Sequence, residues 1–313
     1  MTKTVNLSVV INTKNSAEFL ANCLDSVKNI ADEIVVVDSA STDNTVAIAK
    51  KFGAKIHQFP QPEIGFVEAA REYLFERANG QWLLLLDSDE SIGQELAKKI
   101  TAIINNKTSD PAPADVYFIA RQNIIFGRPF TATGWYPDYQ ARLWKKGSLN
   151  WPAKIHSVPN IHGTSAHLAI DEKLAIIHHN YQSVSEYLDR SNRYTDIQAE
   201  RDFDATKVDG YSASAFINCF FDEWLRRFFA LRGHQDGNHG ALLSLLQANY
   251  QVTTLAKQWQ KANFPHHSLG QEEFSQTLKQ LQRHLKYWQA NFKVKNSTGL
   301  KKLYYRLQRK LAS

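Results

Sequence analysis

Cysteine is scarce in this chain of 313 residues: Cys23 and Cys219 stand alone. They form no metal-binding or redox spacing, and as buried thiols on expected helices they suit a reducing cytoplasm. No run of 18 apolar residues occurs, so no helix is expected to span a bilayer. Met1 to Asn6 leads straight into a strand-like run without a cleavage-site pattern, so no secretory leader is expected. Neither GxGxxG nor GxxxxGK[ST] is present, which argues against a dinucleotide site and a P-loop. There is no internal repeat or low-complexity segment. Acidic residues are missing from 274–313, a stretch that holds Lys279, Arg283, Lys286, Lys293, Lys295, Lys301, Lys302, Arg306, Arg309 and Lys310. The formal net charge of +6 therefore resides in the tail, and residues 1–273 are mildly acidic. Such a tail points to an anionic partner, and nucleic acid is disfavoured because no recognition motif accompanies the charge.

What is present is organised around Trp82-Leu83-Leu84-Leu85-Leu86-Asp87-Ser88-Asp89-Glu90. Five consecutive apolar residues read as a strand buried on both faces, followed by three acids where the strand leaves the core. The carboxyl ends of parallel strands are where open α/β sheets bind ligands. Asp-x-Asp on extended chain points both carboxylates to one side. That pair suits a hard divalent cation shared with substrate phosphates.

Leu7 to Ile11 and Ile34 to Val37 read as further buried strands, and Lys55 to Phe59 as a third. Helices with Ser16 as N-cap, from about Val46, and from Val67 to Ala78 alternate with them. Ser91 with Gln94 has capping-box spacing ahead of Leu96, Ile100 and Ile103. This alternation predicts a doubly wound, mostly parallel sheet, and right-handed crossovers bring Thr13, Asp38 and Asp87 to one edge. The loop 105–114 reads as a boundary, and Val116 to Ile119 resumes as strand. An aromatic stretch around Trp135 to Trp144 suits a sugar pocket and a core equally well. From Ser183, which has capping-box spacing to Glu186, the chain reads as helical. Residues 214–231 carry two apolar rows, for a helix buried between others or, the reading preferred here, lying in a membrane interface. Leu300, Leu303, Tyr304, Leu307 and Leu311 repeat at helical spacing among basic residues, as in a helix on an anionic membrane surface. The competing reading is a solvated cationic face on the protein body.

The segments Ser8 to Asn15, Ala31 to Thr45 and Leu86 to Glu90 resemble family 2 glycosyltransferases of the GT-A fold. Gly134 to Gln140 with Arg142-Leu143, and Ser183 to Tyr187 with Asn192 to Tyr194, resemble the branch that includes bacterial lipopolysaccharide-core glucosyltransferases. The likeness covers about residues 5–200. It implies an α/β, Rossmann-like GT-A sheet with a C-terminal helical extension. Residues 1–104 would form the nucleotide-sugar half, 105–200 the acceptor half and 201–313 the basic extension. It implies an inverting, metal-dependent transfer from a nucleotide diphosphate sugar, UDP-linked by preference, to a cell-surface glycan or glycolipid.

By that resemblance Asp38 reads the base imide and Thr13 lines base and ribose. Arg71 reaches base or diphosphate, and Asp87 holds ribose or the metal shell. Asp89 ligates Mg²⁺ or Mn²⁺, and Asp138 is the general base. Arg142, four residues on, would pair with the diphosphate if that segment is helical. His156 and His178 are further candidates for diphosphate or metal. Glu90 is expected to order the loop. The chain departs from the family's frequent residues at Asn12, Ala40, Glu72 and Ser157, and Ala40 stands where Gly would relax the loop after Asp38. The expected location is cytoplasmic, peripheral on the inner face of the membrane. Two alternatives stand beside this reading. A non-catalytic nucleotide-sugar or membrane scaffold is one; the other, a sugar-1-phosphate nucleotidylyltransferase, lacks its Gly-rich loop at Asn12 to Ser16.

Overall fold

The structure is a computed structural model and describes residues 5–61, 68–152, 158–204, 206 and 210–312. It begins β1 (Leu7–Thr13), α1 (Leu20–Val27), β2 (Glu33–Asp38), α2 (Thr45–Lys51), β3 (Lys55–Gln58), α3 (Glu68–Glu76) and β4 (Trp82–Asp87). Then follow β5 (Glu90–Ile92), α4 (Gln94–Ile104), β6 (Val116–Ile125), β7 (Arg128–Pro129), β8 (Asp138–Lys145), β9 (Leu149–Asn150), β10 (Asn160–Ile161), β11 (Ser165–His167) and β12 (Ile176–Tyr181). The chain ends in α5 (Val184–Asp202), α6 (Ala213–Leu225), α7 (Gly237–Lys261), α8 (Gln271–Lys295) and α9 (Gly299–Ala312).

By its contacts the chain forms two compact units, residues 1–125 with 136–180 and residues 126–135 with 181–313. In the first, β1 is buried along its whole length because parallel neighbours flank it on both sides. Its alternate side chains feed two cores, as the two-residue period of a strand requires. Leu7, Val9 and Ile11 join Val36, Leu84 and Leu86 against Leu20 and Leu24 of α1 and Leu96 and Ile100 of α4. Val10 joins Val35, Val37, Leu83 and Leu85 against Ala70 and Leu74 of α3. The sheet runs β3-β2-β1-β4-β8-β6-β12-β5. The first four strands are parallel, and the sheet turns antiparallel from β4 to β8 and on to β6. This is the α/β, doubly wound GT-A architecture that the resemblance implies, with β3, β2, β1 and β4 as one parallel run and the short β11 pairing parallel with β6.

Two expected caps are corrected. Ser91 belongs to β5, paired with Ile177 of β12, and α4 instead starts after Gly93 with no side-chain cap. Ser16 closes a turn through its carbonyl to the amides of Phe19 and Leu20, and α1 begins only at Leu20. Ser183 does cap α5, its hydroxyl accepting the Glu186 amide at 3.1 Å. In the second unit, α6 packs on α7 and α8, α7 on α5, and α8 on α9. The aromatic rows of 214–231 meet partners there. Phe216 contacts Trp259 edge-on, and Phe229 stacks on Trp288. Phe220, Phe221, Trp224 and Phe228 contact one another along the same segment and stay half-buried. Asp236, just before α7, ties down the segment after β7 by accepting from the Thr131 hydroxyl (2.9 Å) and the Ala132 amide (3.1 Å).

Candidate active site

Three strand ends meet at one edge of the sheet. Register pairs Thr13 of β1 with Asp38 of β2, and Asn12 with Asp87 of β4. The crevice follows from topology, since right-handed crossovers place all parallel strand ends on the same side. Asp38 is 1 % exposed, and its Oδ2 accepts the Ser41 amide at 3.1 Å. Its Oδ1 and the Thr13 hydroxyl are buried, and neither has a hydrogen-bond partner among the described residues. Buried polar atoms in native proteins are nearly always satisfied, so two adjacent orphans make this edge the candidate ligand site. Arg71 of α3 lies over the Trp151 ring at 3.8 Å and reaches Asp87 at 4.0 Å. Glu72 accepts the Trp151 amide, fixing that platform.

Past Asp87 the chain turns sharply, and Glu90 Oε2 closes the turn by accepting the Asp87 amide at 2.9 Å. Glu90 thus orders the loop as expected. Its other oxygen accepts from Arg142 at 2.6 Å and from Arg121 at 3.3 Å. Arg142 also donates to Asp87 at 2.7 Å. Burial alone would raise the Asp87 carboxyl, but Arg142, Arg71 and Arg121 outweigh it and hold the group well below the usual carboxylate range. For Glu90 burial wins, and its carboxyl is pushed up. Burial works against the charge on Arg142 too, yet Asp87 and Glu90 keep it firmly protonated.

The premise of a helix around Arg142 is corrected. Asp138 to Lys145 is strand β8, so the four-residue spacing carries no helical meaning there. Asp138, at its start, lies opposite Arg121 of β6. Arg121 donates to Asp138 Oδ2 from Nε at 2.9 Å and Nη2 at 2.6 Å, and Gln140 donates to Oδ1 at 2.9 Å. Burial would raise the Asp138 carboxyl, but Arg121, Gln140 and Asn123 bring it below its ordinary value. Asn123 Oδ1 meets His178 Nδ1 at 2.7 Å, and His178 Nε2 stands 3.6 Å from Asp89 Oδ2. A polar chain thus runs from Asp89 through His178 and Asn123 to Asp138. His156 lies outside the described residues.

Among the described residues no three His, Cys, Asp or Glu side chains gather as a closed metal cage. A cation bound together with substrate phosphates needs only one or two protein carboxylates. Asp89, half-buried and facing His178, fits that demand. Asp87 fits it less well, because arginines already neutralise it. Arg121 and Asn123 are absent from the residues expected from sequence. The sequence hides them, because Arg121-Gln122-Asn123 is an unbroken polar run that shows no strand alternation before Ile124 and Ile125 resume it.

Residues 8–157 match the model of the family described as "Glycosyl transferase family 2". The chain is similar to an uncharacterized glycosyltransferase of Rickettsia felis, 40% identical over 104 residues, covering 33% of this chain and 36% of that protein. It therefore spans about a third of the length of that relative. It is also similar to the lipopolysaccharide core biosynthesis glycosyltransferase LpsC of Rhizobium meliloti, 24% identical over 262 residues, 82% of this chain and 92% of that one. A crystal structure of S. aureus TarS in complex with UDP matches at TM-score 0.42 and 17% identity over 85% of this chain and 94% of that one. Residues 8–157 thus carry a glycosyl transferase family 2 domain.

Proposed function

We propose that the protein is an inverting glycosyltransferase that moves a sugar from a UDP-linked donor to a hydroxyl of a cell-surface glycolipid. The observation that carries this is the pair of buried atoms at adjacent strand ends, Asp38 Oδ1 and Thr13 Oγ1, that have no partner among the described residues. A uracil imide N–H satisfies the first, and a base or ribose oxygen the second. Arg71, stacked on Trp151, is placed to meet the base or diphosphate. Asp87, oriented by its arginines, would accept from the ribose. Asp89, with His178 beside it, would hold Mg²⁺ or Mn²⁺, which neutralises charge on the leaving diphosphate when bound. Arg142 keeps buried Nε and Nη1 without partners among the described residues, and these would turn toward that same charge. The name of the Rhizobium relative supports a lipopolysaccharide-core acceptor. By this reading residues 1–104 serve the donor, 105–200 the acceptor, and 201–313 the membrane on whose cytoplasmic face the acceptor lies.

Asp138 would take the proton from the acceptor hydroxyl as it attacks the anomeric carbon. Its Oδ1 accepts one hydrogen bond, from Gln140, and keeps a second lone pair for that hydroxyl. Arg121 holds Oδ2 and fixes the direction of the carboxylate. The same clamp favours a second reading, a non-catalytic nucleotide-sugar-binding protein, because a carboxylate held low is a weak base.

Titration calorimetry with UDP, CDP and GDP, with and without Mn²⁺, separates the possibilities. Preferential binding of UDP is the expected result, weakened about 10-fold or more by Asp38→Ala. Absence of uridine nucleotide binding would sink the assignment of Asp38. Binding without UDP release from UDP-hexoses in the presence of core glycolipid would leave the second reading.

A further inference from the structure

Helix α9 packs the wrong way round for a helix whose only task is to complete a fold. Its apolar residues Leu300, Leu303, Tyr304, Leu307 and Leu311 recur at three- and four-residue intervals and form one stripe. Within the second unit α9 lies on α8, yet the residues turned toward α8 are the polar ones. Lys302, Tyr305 and Arg309 are half-buried. Arg309 donates to Asn291 at 2.9 Å, and Lys293 of α8 sits 5.3 Å from the Tyr305 ring. The leucine stripe faces outward: Leu300 is 86% exposed, Leu303 62%, Leu307 58% and Leu311 79%. Burying one leucine side chain is worth about 1.5–3 kcal/mol, so leaving four in water demands an occupant.

The flanks of the stripe say which. Lys301 and Arg306 beside it are exposed, and the whole of 274–313 lacks an acid. A protein partner with an apolar groove needs no such one-sided charge, whereas an anionic bilayer offers hydrocarbon below and negative headgroups at the rim. No described helix is long and apolar enough to cross a membrane, so α9 would lie in the interface. We infer that α9 is an interfacial anchor that inserts its Leu300–Leu311 stripe into an anionic lipid surface. This deepens the proposed membrane role of residues 201–313 by assigning the contact to one helix. In the segment 214–231, by contrast, Phe216 already meets Trp259 of α7 and Phe229 stacks on Trp288 of α8, and no large apolar residue there is as exposed as those of the α9 stripe.

The test uses the full chain and vesicles of phosphatidylglycerol mixed with phosphatidylcholine, against vesicles of phosphatidylcholine alone. Sedimentation should show strong preference for the anionic vesicles. Leu303→Glu with Leu307→Glu, at sites already in water, should weaken binding at least about tenfold. Lys301→Gln and Arg306→Gln should each weaken it about fivefold at low salt, and salt should erase that part. Unchanged melting and unchanged UDP affinity in these variants separate this result from the fate of the donor-site reading. Equal binding by the leucine variant, or no preference for anionic lipid, overturns the anchor. Light scattering that shows a dimer dissolved by Leu303→Glu, with no vesicle binding, would overturn it in favour of a second copy of the chain.

Discussion

The two halves of the sheet treat their polar groups in opposite ways. At the ends of parallel strands β1 and β2, Thr13 Oγ1 and Asp38 Oδ1 are buried with no partner among the described residues. On β8 and β6 the buried charges are paired, Arg142 with Asp87 and Glu90 and Arg121 with Asp138, and His178 of β12 hydrogen-bonds Asn123, although Arg142 Nε and Nη1 have no partner among the described residues. An orphaned acceptor raises the free energy of the empty protein and lowers it again when a ligand supplies the donor. A closed ion-pair network contributes little net stability, but losing one member is severe, because the partner remains as an uncompensated buried charge. On the proposed function, the parallel half would take the ligand and the ion-paired antiparallel half would hold its shape around it.

The comparison is broken most violently by Arg142→Met. Glu90 would remain buried without its closest cation, at a cost of about 3–5 kcal/mol. Thermal unfolding should fall by on the order of 10 °C. Adding Glu90→Gln should recover part of that loss. A fall of a degree or two would show that the network is not a frame at all.

Next in size is Asp138→Asn, which should lower sugar transfer about 10²-fold or more while leaving UDP affinity intact. Its neighbour gives the pH test. Arg121 holds the Asp138 carboxyl below its ordinary value, so the base is ionised at neutral pH and lost only as pH falls through that low value. Arg121→Gln removes the leading cause of the depression and lets burial act. The acid limb of the pH–rate profile should then move to higher pH. A limb that stays put would detach Arg121 from the base.

These residues also show where the sequence could be read and where it could not. Strands β1, β2 and β4 were legible because both faces are buried and the apolar runs are continuous. The site edge followed from them by handedness alone. Arg121 and Asn123 escaped notice because β6 was expected to stop at Ile119, and their partners lie across a register set by antiparallel pairing with β8. Arg142 lies on a strand, where the four-residue helical spacing has no meaning, and its partners Asp87 and Glu90 come from β4 and β5. Ser91 has cap spacing, but pairing to Ile177 is a tertiary contact that overrode it. For α9 the apolar period was plain, and only contact with α8 reveals which face is turned inward.

The open half is sharpened by Thr13→Val, which removes an unpartnered buried hydroxyl and keeps the shape. In the empty protein the change should be neutral or stabilise by up to about 1 kcal/mol, while UDP binding weakens severalfold. Denaturant unfolding and calorimetry on the same variant read both effects. A loss of stability would mean that the hydroxyl has a partner in the empty protein, and the contrast between the halves would shrink.

The smallest effect expected is at Ala40, in the turn that leaves Asp38. Its φ of 59° is left-handed, a conformation that brings Cβ against the backbone and costs a non-glycine residue about 1–2 kcal/mol. Ala40→Gly relieves that strain, but the added freedom of glycine in the unfolded chain takes back about 0.4–1 kcal/mol. The net gain should be about 0.5–1 kcal/mol, seen as a rise of roughly 1–4 °C in thermal midpoint. Asp38 Oδ2 is held by the Ser41 amide, one residue past this turn. If the strain also aims Asp38 at the ligand, the glycine variant will be more stable and yet bind UDP less tightly. If both rise together, the strain belongs to the turn alone, and the open half owes its readiness to the orphaned atoms without help from the backbone.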